Sequence, residues 1–234
     1  MPVILQLVLI AIIGYLWGSI PPGYWMGKLL KGTNFDIREH GSHKTGTTNV
    51  QRTLGTVPAI IVFVIDLSKG VGPTLLATLV PIFQGMEPGM LWGPTVAGLA
   101  ALIGHIFPVF IGFKGGRGVL TGAGGLLVIS PLALLIAVVT TPATIAITRY
   151  VSLGSIVGGL TSIICGIIFY FVGQYDPAFF GKVNLAQLIY MLVAGTIVIL
   201  THYDNIGRLL TGMERKLGQT VKIEDENLSN TVKT

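Results

Sequence analysis

The chain has 234 residues, 51% of them hydrophobic and only 11% charged, with 15 Lys and Arg against 10 Asp and Glu. A soluble domain carries roughly 25% charged residues, whereas the mean hydropathy here is +0.76. These values exclude a disordered chain and an ordinary soluble globule, and they fit an integral membrane protein.

The first segment, MPVILQLVLIAIIGYLWGSI, has no Lys or Arg, and the first basic residue is Lys28. A signal peptide places its positive charge ahead of the apolar core. Here the charge follows the core, so the segment reads as a retained helix with Met1 outside and Lys28 inside. Residues 28–52 form the most polar stretch, with Lys28, Lys31, Arg38, Lys44 and Arg52 against Asp36 and Glu39.

A second span is predicted over 57–80. It contains Asp66 and Lys69, an i,i+3 pair able to neutralise itself on one helix face. A short loop at 84–89, with Glu87 as its only charge, reads as outside. A third span over 90–111 returns the chain to Lys114 and Arg117. Residues 119–150 read either as one long helix or as two short ones. Ser130-Pro131 breaks the pattern, because a residue before proline avoids the helical region; the two pieces are then 119–129 and 131–148. A span over 151–172 includes the single cysteine, Cys165, in an apolar run that reads as packing. One cysteine also excludes an intramolecular disulfide framework and a Cys-rich metal site. A loop at 174–184 carries Asp176 and Lys182, and the last span, 185–200, ends before His202.

Charge parity favours the split at Ser130-Pro131. With seven spans, thirteen Lys and Arg fall inside, Lys182 alone falls outside, and Lys69 lies within a span. The expected fold is an all-α, polytopic membrane bundle of seven transmembrane helices, some short or broken. The piece 119–129 is shorter than the ~20 residues of a standard crossing, so it reads as a half-span inside the bundle. One membrane domain is expected over 1–218, followed by a polar, mobile tail over 219–234. The positive charge follows topology, and no Lys/Arg cluster on a soluble segment points to nucleic acid.

Four polar clusters fall on the same side. GSIPPGYWMGKLLKG reads as a loosened helix end. DIREHGSHKTGTTNVQRTLG sets Ser42, Thr48, Asn49 and Arg52 around Gly41 and Gly46, a composition suited to an anion-binding nest. GHIFPVFIGFKGGRGV interleaves Gly115, Gly116 and Gly118 with Lys114 and Arg117 ahead of a helix start, where the dipole favours anions. THYDNIGRLLTGMERKLG spaces His202, Asn205 and Arg208 at i+3 steps. Arginines, lysines, hydroxyls, an amide and an imidazole at one membrane face, with few carboxylates, form an inventory for a phosphorylated ligand beside lipid.

In this order, GSIPPGYWMGK, GSHKTGTTNVQR, VIDLSKG, GHIFPVFIGFKGGRG and HYDNIGRLLTGMERK resemble the bacterial acyl-phosphate:glycerol-3-phosphate acyltransferase family. The resemblance runs through about Gly218. It implies a seven-helix enzyme of the bacterial plasma membrane, with its site at the cytoplasmic face. The implied reaction carries an acyl group from acyl phosphate to glycerol 3-phosphate, giving 1-acylglycerol 3-phosphate and phosphate. The implied partners are the two substrates, membrane lipids and an enzyme that produces acyl phosphate; no cofactor and no metal are implied. The resemblance assigns catalysis and phosphate recognition to Ser42, Arg52, Lys114, His202 and Asn205. It places Gly41, Gly46, Thr48, Asn49, Gly115, Gly116, Arg117 and Arg208 around the phosphate.

The family's serine loop usually reads GSGNxGATN. His43-Lys44 and Thr47 depart from it, as do Arg117 in place of a lysine and Tyr203 in place of an arginine. Many acyl-CoA-dependent and carrier-protein-dependent glycerophosphate acyltransferases use a His followed five positions later by an Asp. None of the four histidines has that partner: the positions are Thr45, Thr48, Phe110 and Gly207. The alternative reading is a transporter of a phosphorylated metabolite, for which breaks and intramembrane charge are also expected features.

Overall fold

A computed structural model of the chain describes residues 2–83, 91–175 and 183–219. Among the described residues the regular structure is helical and no strand occurs. Hydrocarbon offers no partner to an open backbone N–H or C=O, so spanning segments close their own hydrogen bonds as helices. The loop bearing Glu87, the Asp176–Lys182 segment and the tail from 220 onward lie outside the described residues.

The first apolar run is broken in two. Helix α1 spans Val3–Gly18 and α2 spans Pro22–Lys31. Pro21 and Pro22 lack an N–H, so they cannot continue α1, yet Pro22 opens α2 at a position where no N–H is needed. A short 3-10 turn (Ile37–Glu39) and α3 (Thr47–Leu54) make up the polar stretch, and α4 (Thr56–Leu79) carries the Asp66–Lys69 pair. The third apolar run ends earlier than its hydropathy suggests. Helix α5 stops at Ile106 (Trp92–Ile106), before Pro108, and its remainder is a 3-10 turn (Val109–Ile111). Ser130 and Pro131 separate α6 (Val119–Ile129) from α7 (Pro131–Thr148), where the sequence placed the break. Helix α8 spans Val151–Tyr175, and α9 (Leu185–Leu200) bends by 55° into α10 (Tyr203–Leu210).

Among the described residues, five helical segments are long and apolar enough to cross a membrane, with α1 and α2 counted together; α9, 16 residues long, is a sixth apolar segment and ends at the bend into α10. Helix α6 is the remaining apolar helix. Its 11 residues reach only about 16 Å at ~1.5 Å per residue, against a hydrocarbon core of ~30 Å. Packing around it explains how it is held: α6 lies against α4, α5 and α9, and one face is fully buried.

Small residues bring the helices close. A Cβ on Gly18 of α1 would sit 2.1 Å from the Ala101 carbonyl oxygen of α5, and one on Gly70 of α4 would sit 2.0 Å from the Thr121 carbonyl oxygen of α6. Without a hydrophobic drive between helices in lipid, such close approach supplies the dispersion contacts that hold the bundle. Two hydrogen bonds fix the half-length helix further: Thr121 donates to the Asp66 carbonyl at 3.0 Å, and Tyr190 donates to the Gly122 carbonyl at 2.8 Å.

Candidate active site

The ends of α5, α7 and α9 and the starts of α3, α6 and α8 meet on one side of the bundle. They enclose a cavity of about 290 Å³. The lining is unusually cationic for a membrane protein, with Lys44, Arg52 and Arg117 beside Ser42, Thr48 and His202.

One buried amide shapes the serine loop. Asn49, 1% exposed, sits in α3 and reaches back over the residues before it. Its Nδ2 donates to the carbonyls of Lys44 at 2.8 Å, His40 at 3.1 Å and Ile37 at 3.2 Å, while its Oδ1 accepts the Ser42 N–H at 2.8 Å. Gly41 has a φ of +62°, and a Cβ there would lie 2.1 Å from Asn49 Oδ1. Glycine therefore serves the loop in two ways, by tolerating the left-handed backbone and by admitting the amide. A second tie is the guanidinium of Arg38. It forks onto Asp36, donates to the Ile111 carbonyl at 2.6 Å and lies 4.9 Å from the centre of the Tyr24 ring.

The glycine-rich segment before α6 turns at Gly112, Phe113 and Gly118, all with positive φ. Gly115 and Gly116 donate their N–H groups to the carbonyls of Ile106 and His105 at 3.0 and 3.1 Å. They pack so tightly on His105 that a Cβ on Gly116 would lie 2.1 Å from Nε2. These two glycines thus dock the segment on the end of α5. Lys114 is exposed and does not line the cavity, whereas Arg117 does. Arg117 Nη2 donates to Asp204 at 2.8 Å, and its Nε is buried without a partner.

Beneath the cavity lies a polar knot. Lys69 Nζ donates to the Ile20 carbonyl at 2.8 Å and to His105 Nδ1 at 2.9 Å, and it forms an ion pair with Asp66 Oδ1 at 2.7 Å. The carbonyl of Ile20 lies free because the prolines break the helix there. The ammonium is thereby satisfied, and it ties α4 and α5 to the α1–α2 break.

The segment that follows α10 closes the site. Glu214 is 8% exposed and accepts three hydrogen bonds, from Asn205 Nδ2 at 2.8 Å, Ser152 at 2.9 Å and Arg208 Nε at 2.7 Å. Burial alone raises a carboxyl pKa, but these three donors outweigh it and hold Glu214 below the ordinary glutamate range. His202 caps α10 outside the last span, and its Nδ1–H donates to the Val198 carbonyl at 2.7 Å. Burial lowers its pKa to about 4, so the ring is neutral at pH 7 and Nε2 is an acceptor.

Of the residues singled out from sequence, Ser42, Gly46, Thr48, Asn49, Arg52, Arg117, His202 and Asn205 line the one cavity. Arg208 reaches it through Glu214, and Gly41, Gly115 and Gly116 shape its walls. The cavity adds Lys44, Thr47, Asp66, His105, Ser152, Ser155 and Glu214. Ser152 and Ser155 carried a readable signal, since they stand i,i+3 at the start of an otherwise apolar helix.

Beside this cavity runs an apolar groove of about 370 Å³, between α6, α7, α8 and α9. Phe63, Val119, Leu120, Thr141 and Ser155 line both spaces. Among the described residues no group of His, Cys, Asp and Glu is placed to hold a metal ion.

The family profile described as glycerol-3-phosphate acyltransferase matches residues 8–212. A glycerol-3-phosphate acyltransferase of Synechococcus elongatus is 38% identical over 217 residues, covering 92% of this chain and 97% of its own. One from a Thermoanaerobacter species is 39% identical over 218 residues, covering 93% and 98%. The crystal structure of PlsY (YgiH), an integral membrane glycerol 3-phosphate acyltransferase in its glycerol 3-phosphate form, superposes with a TM-score of 0.76 at 34% identity, covering 91% of this chain and 96% of that one. The lysophosphatidic acid form superposes with a TM-score of 0.73.

Proposed function

The chain belongs to the glycerol-3-phosphate acyltransferase family, and we propose that it carries a fatty acyl group from acyl phosphate to the sn-1 hydroxyl of glycerol 3-phosphate. The products are 1-acylglycerol 3-phosphate and inorganic phosphate. The observation that supports this reading best is the shared wall between a cation-lined cavity and an apolar groove. A substrate with a phosphate head and a fatty tail needs both spaces in contact, and the cavity also offers room and donors for a small phosphorylated acceptor.

Acyl phosphate is a mixed anhydride and brings its own leaving group. The acceptor hydroxyl oxygen attacks the acyl carbon, a C–O bond forms, and the bond to the phosphate oxygen breaks with its electron pair leaving on phosphate. The protein's part is to place the two anions and to stabilise charge on the acyl and phosphate oxygens. Arg52, Arg117 and Ser42 are the groups for that task, with Lys114 a rim cation. The hydroxyl proton goes to a phosphate oxygen, whose second pKa is near 6. His202, with a pKa of about 4, is a weak base at neutral pH. Its Nε2 is suited to accept a hydrogen bond from the acceptor hydroxyl and so orient it.

By charge parity the cavity faces the cytoplasm and the N-terminus lies outside, in a bacterial plasma membrane. An enzyme that makes acyl phosphate then supplies the donor. The test supplies purified protein with glycerol 3-phosphate and, in matched reactions, palmitoyl phosphate, palmitoyl-CoA or palmitoyl carrier protein. Product from palmitoyl phosphate alone agrees with the reading, and product from the thioesters overturns it.

A further inference from the structure

Lys44 stands apart from the other lysines among the described residues. Lys28 donates to the Thr33 carbonyl, Lys69 has two acceptors and the Asp66 ion pair, and Lys31, Lys114 and Lys216 are exposed. Lys44 is partly buried in the cavity wall, and among the described residues its ammonium has no hydrogen bond or ion pair. The charges that act on it are those of Arg117 and Asp204. Asp204 Oδ2 is taken by Arg117 at 2.8 Å and by Arg208 at 3.4 Å, and its buried Oδ1, which has no hydrogen-bond partner, makes no ion pair with Lys44. Burial, and then the like charge of Arg117, push the Lys44 pKa down.

Charge balance in the cavity sharpens the point. Asp66 is matched by Lys69, Glu214 by Arg208, and Asp204 by Arg117. Arg52 and Lys44 are the lining cations left without a carboxylate among the described residues. A desolvated cation beside a like charge is costly unless an anion joins it. The same loop offers neutral donors nearby: the Ser42 hydroxyl lines the cavity, and Thr47 Oγ1 is buried there without a partner.

We propose that Lys44 is a phosphate-binding residue of this cavity, acting alongside Arg52. The inference rests on the acyl-transfer reading for the source of the anion, because one turnover brings two phosphate groups, one on the donor and one on the acceptor. Each carries close to two negative charges at neutral pH, more than Arg52 neutralises alone. An ammonium on a flexible stem binds phosphate as a point charge, whereas the guanidinium of Arg52 binds it as a fork.

The experiment compares the wild type with Lys44→Gln and Lys44→Arg, with Lys31→Gln as a charge-matched control on an exposed helix end. Two readouts are taken on full-length protein in detergent: KM and kcat for each substrate, and the midpoint concentration at which inorganic phosphate raises the thermal unfolding temperature. The expected result for Lys44→Gln is a KM raised about ten-fold for one substrate, with kcat within about three-fold and the apo unfolding temperature unchanged or higher. Its phosphate midpoint rises by a similar factor, and Lys44→Arg recovers most of both. The substrate whose KM moves identifies which phosphate Lys44 holds. If both KM values and the phosphate midpoint stay within about two-fold of wild type, the proposal is wrong. A large drop in apo unfolding temperature with no ligand-selective change also overturns it, since that marks a structural lysine. Should the wild type transfer no acyl group, the functional reading fails, and the phosphate midpoint still decides the role of Lys44.

Discussion

Ser152, at the start of α8, and Glu214, beyond the end of α10, share a hydrogen bond of 2.9 Å across 62 residues of sequence. That contact ties the start of α8 to the segment after α10 at the rim of the cavity. With Asn205 and Arg208 on the same carboxylate, it makes the segment after α10 part of the site.

Glu214→Gln is expected to lower stability by about 2–4 kcal/mol, because it leaves Arg208 and Asn205 facing a neutral, misoriented amide in a buried network. Thermal unfolding in detergent measures this. The pH dependence has a definite sign. The folded-state pKa of Glu214 lies below its ordinary 4.5, so its contribution is complete above that value and is lost as pH falls through the folded pKa. The Gln variant removes this acid-side loss.

Asn49→Ala is expected to abolish measurable transfer and to raise the KM of both substrates before that limit. The buried amide holds three carbonyls and one N–H of the serine loop, and each orphaned group costs about 1–3 kcal/mol. Asn49→Asp is expected to fail as well, since a carboxylate cannot donate to the carbonyls. Steady-state kinetics and limited proteolysis between residues 37 and 46 test this.

Two glycines separate packing from ligand contact. Gly116→Ala drives a methyl to 2.1 Å from the His105 ring, so lower expression and a lower unfolding temperature are expected. Gly46 has a φ of −76° and open space around its Cα, so Gly46→Ala is expected to fold normally. Any change in its KM then reports on the ligand.

The His202 ring, neutral down to pH of about 4, gives no inflection of its own in the pH–rate profile between about 5.5 and 8. His202→Gln is expected to keep the shape of that profile and lower its height by ten-fold or more through lost orientation. Stability carries the opposite test. Because the folded pKa lies below the ordinary 6.5, the wild type loses stability as pH falls from 6.5 toward 4. The Gln variant is expected to be flatter across that window. A wild-type inflection near 6.5 that vanishes in the variant would restore His202 as the base.

The groove is tested by filling it. Ala123 lines the groove on α6 and does not line the cavity. Ala123→Phe is expected to raise the KM for palmitoyl phosphate several-fold and to shift preference toward shorter acyl donors, with the KM for glycerol 3-phosphate unchanged.

Much of this fold is legible in the sequence. The Ser130-Pro131 break follows from proline chemistry, the last span follows from an uninterrupted apolar run, and Asp66 and Lys69 announce their pairing by spacing. Long-range partners are not legible in this way. Nothing local says that His105, 36 residues on, accepts from Lys69. Nor does FKGGRG say which cation faces inward, because an irregular loop has no period. The choice of Arg117 over Lys114 follows from positive φ at Gly112 and Phe113 and from the N–H bonds of Gly115 and Gly116 to α5. Lys44 reads as one more positive charge until the loop is folded around Asn49.

The most direct measurement follows one reaction by phosphorus NMR, with purified protein, palmitoyl phosphate and glycerol 3-phosphate. The account predicts that the acyl phosphate and glycerol 3-phosphate signals fall together, replaced in equal amounts by inorganic phosphate and 1-acylglycerol 3-phosphate. Phosphate released while glycerol 3-phosphate stays constant would show that water, not the acceptor hydroxyl, takes the acyl group. That result would contradict the account.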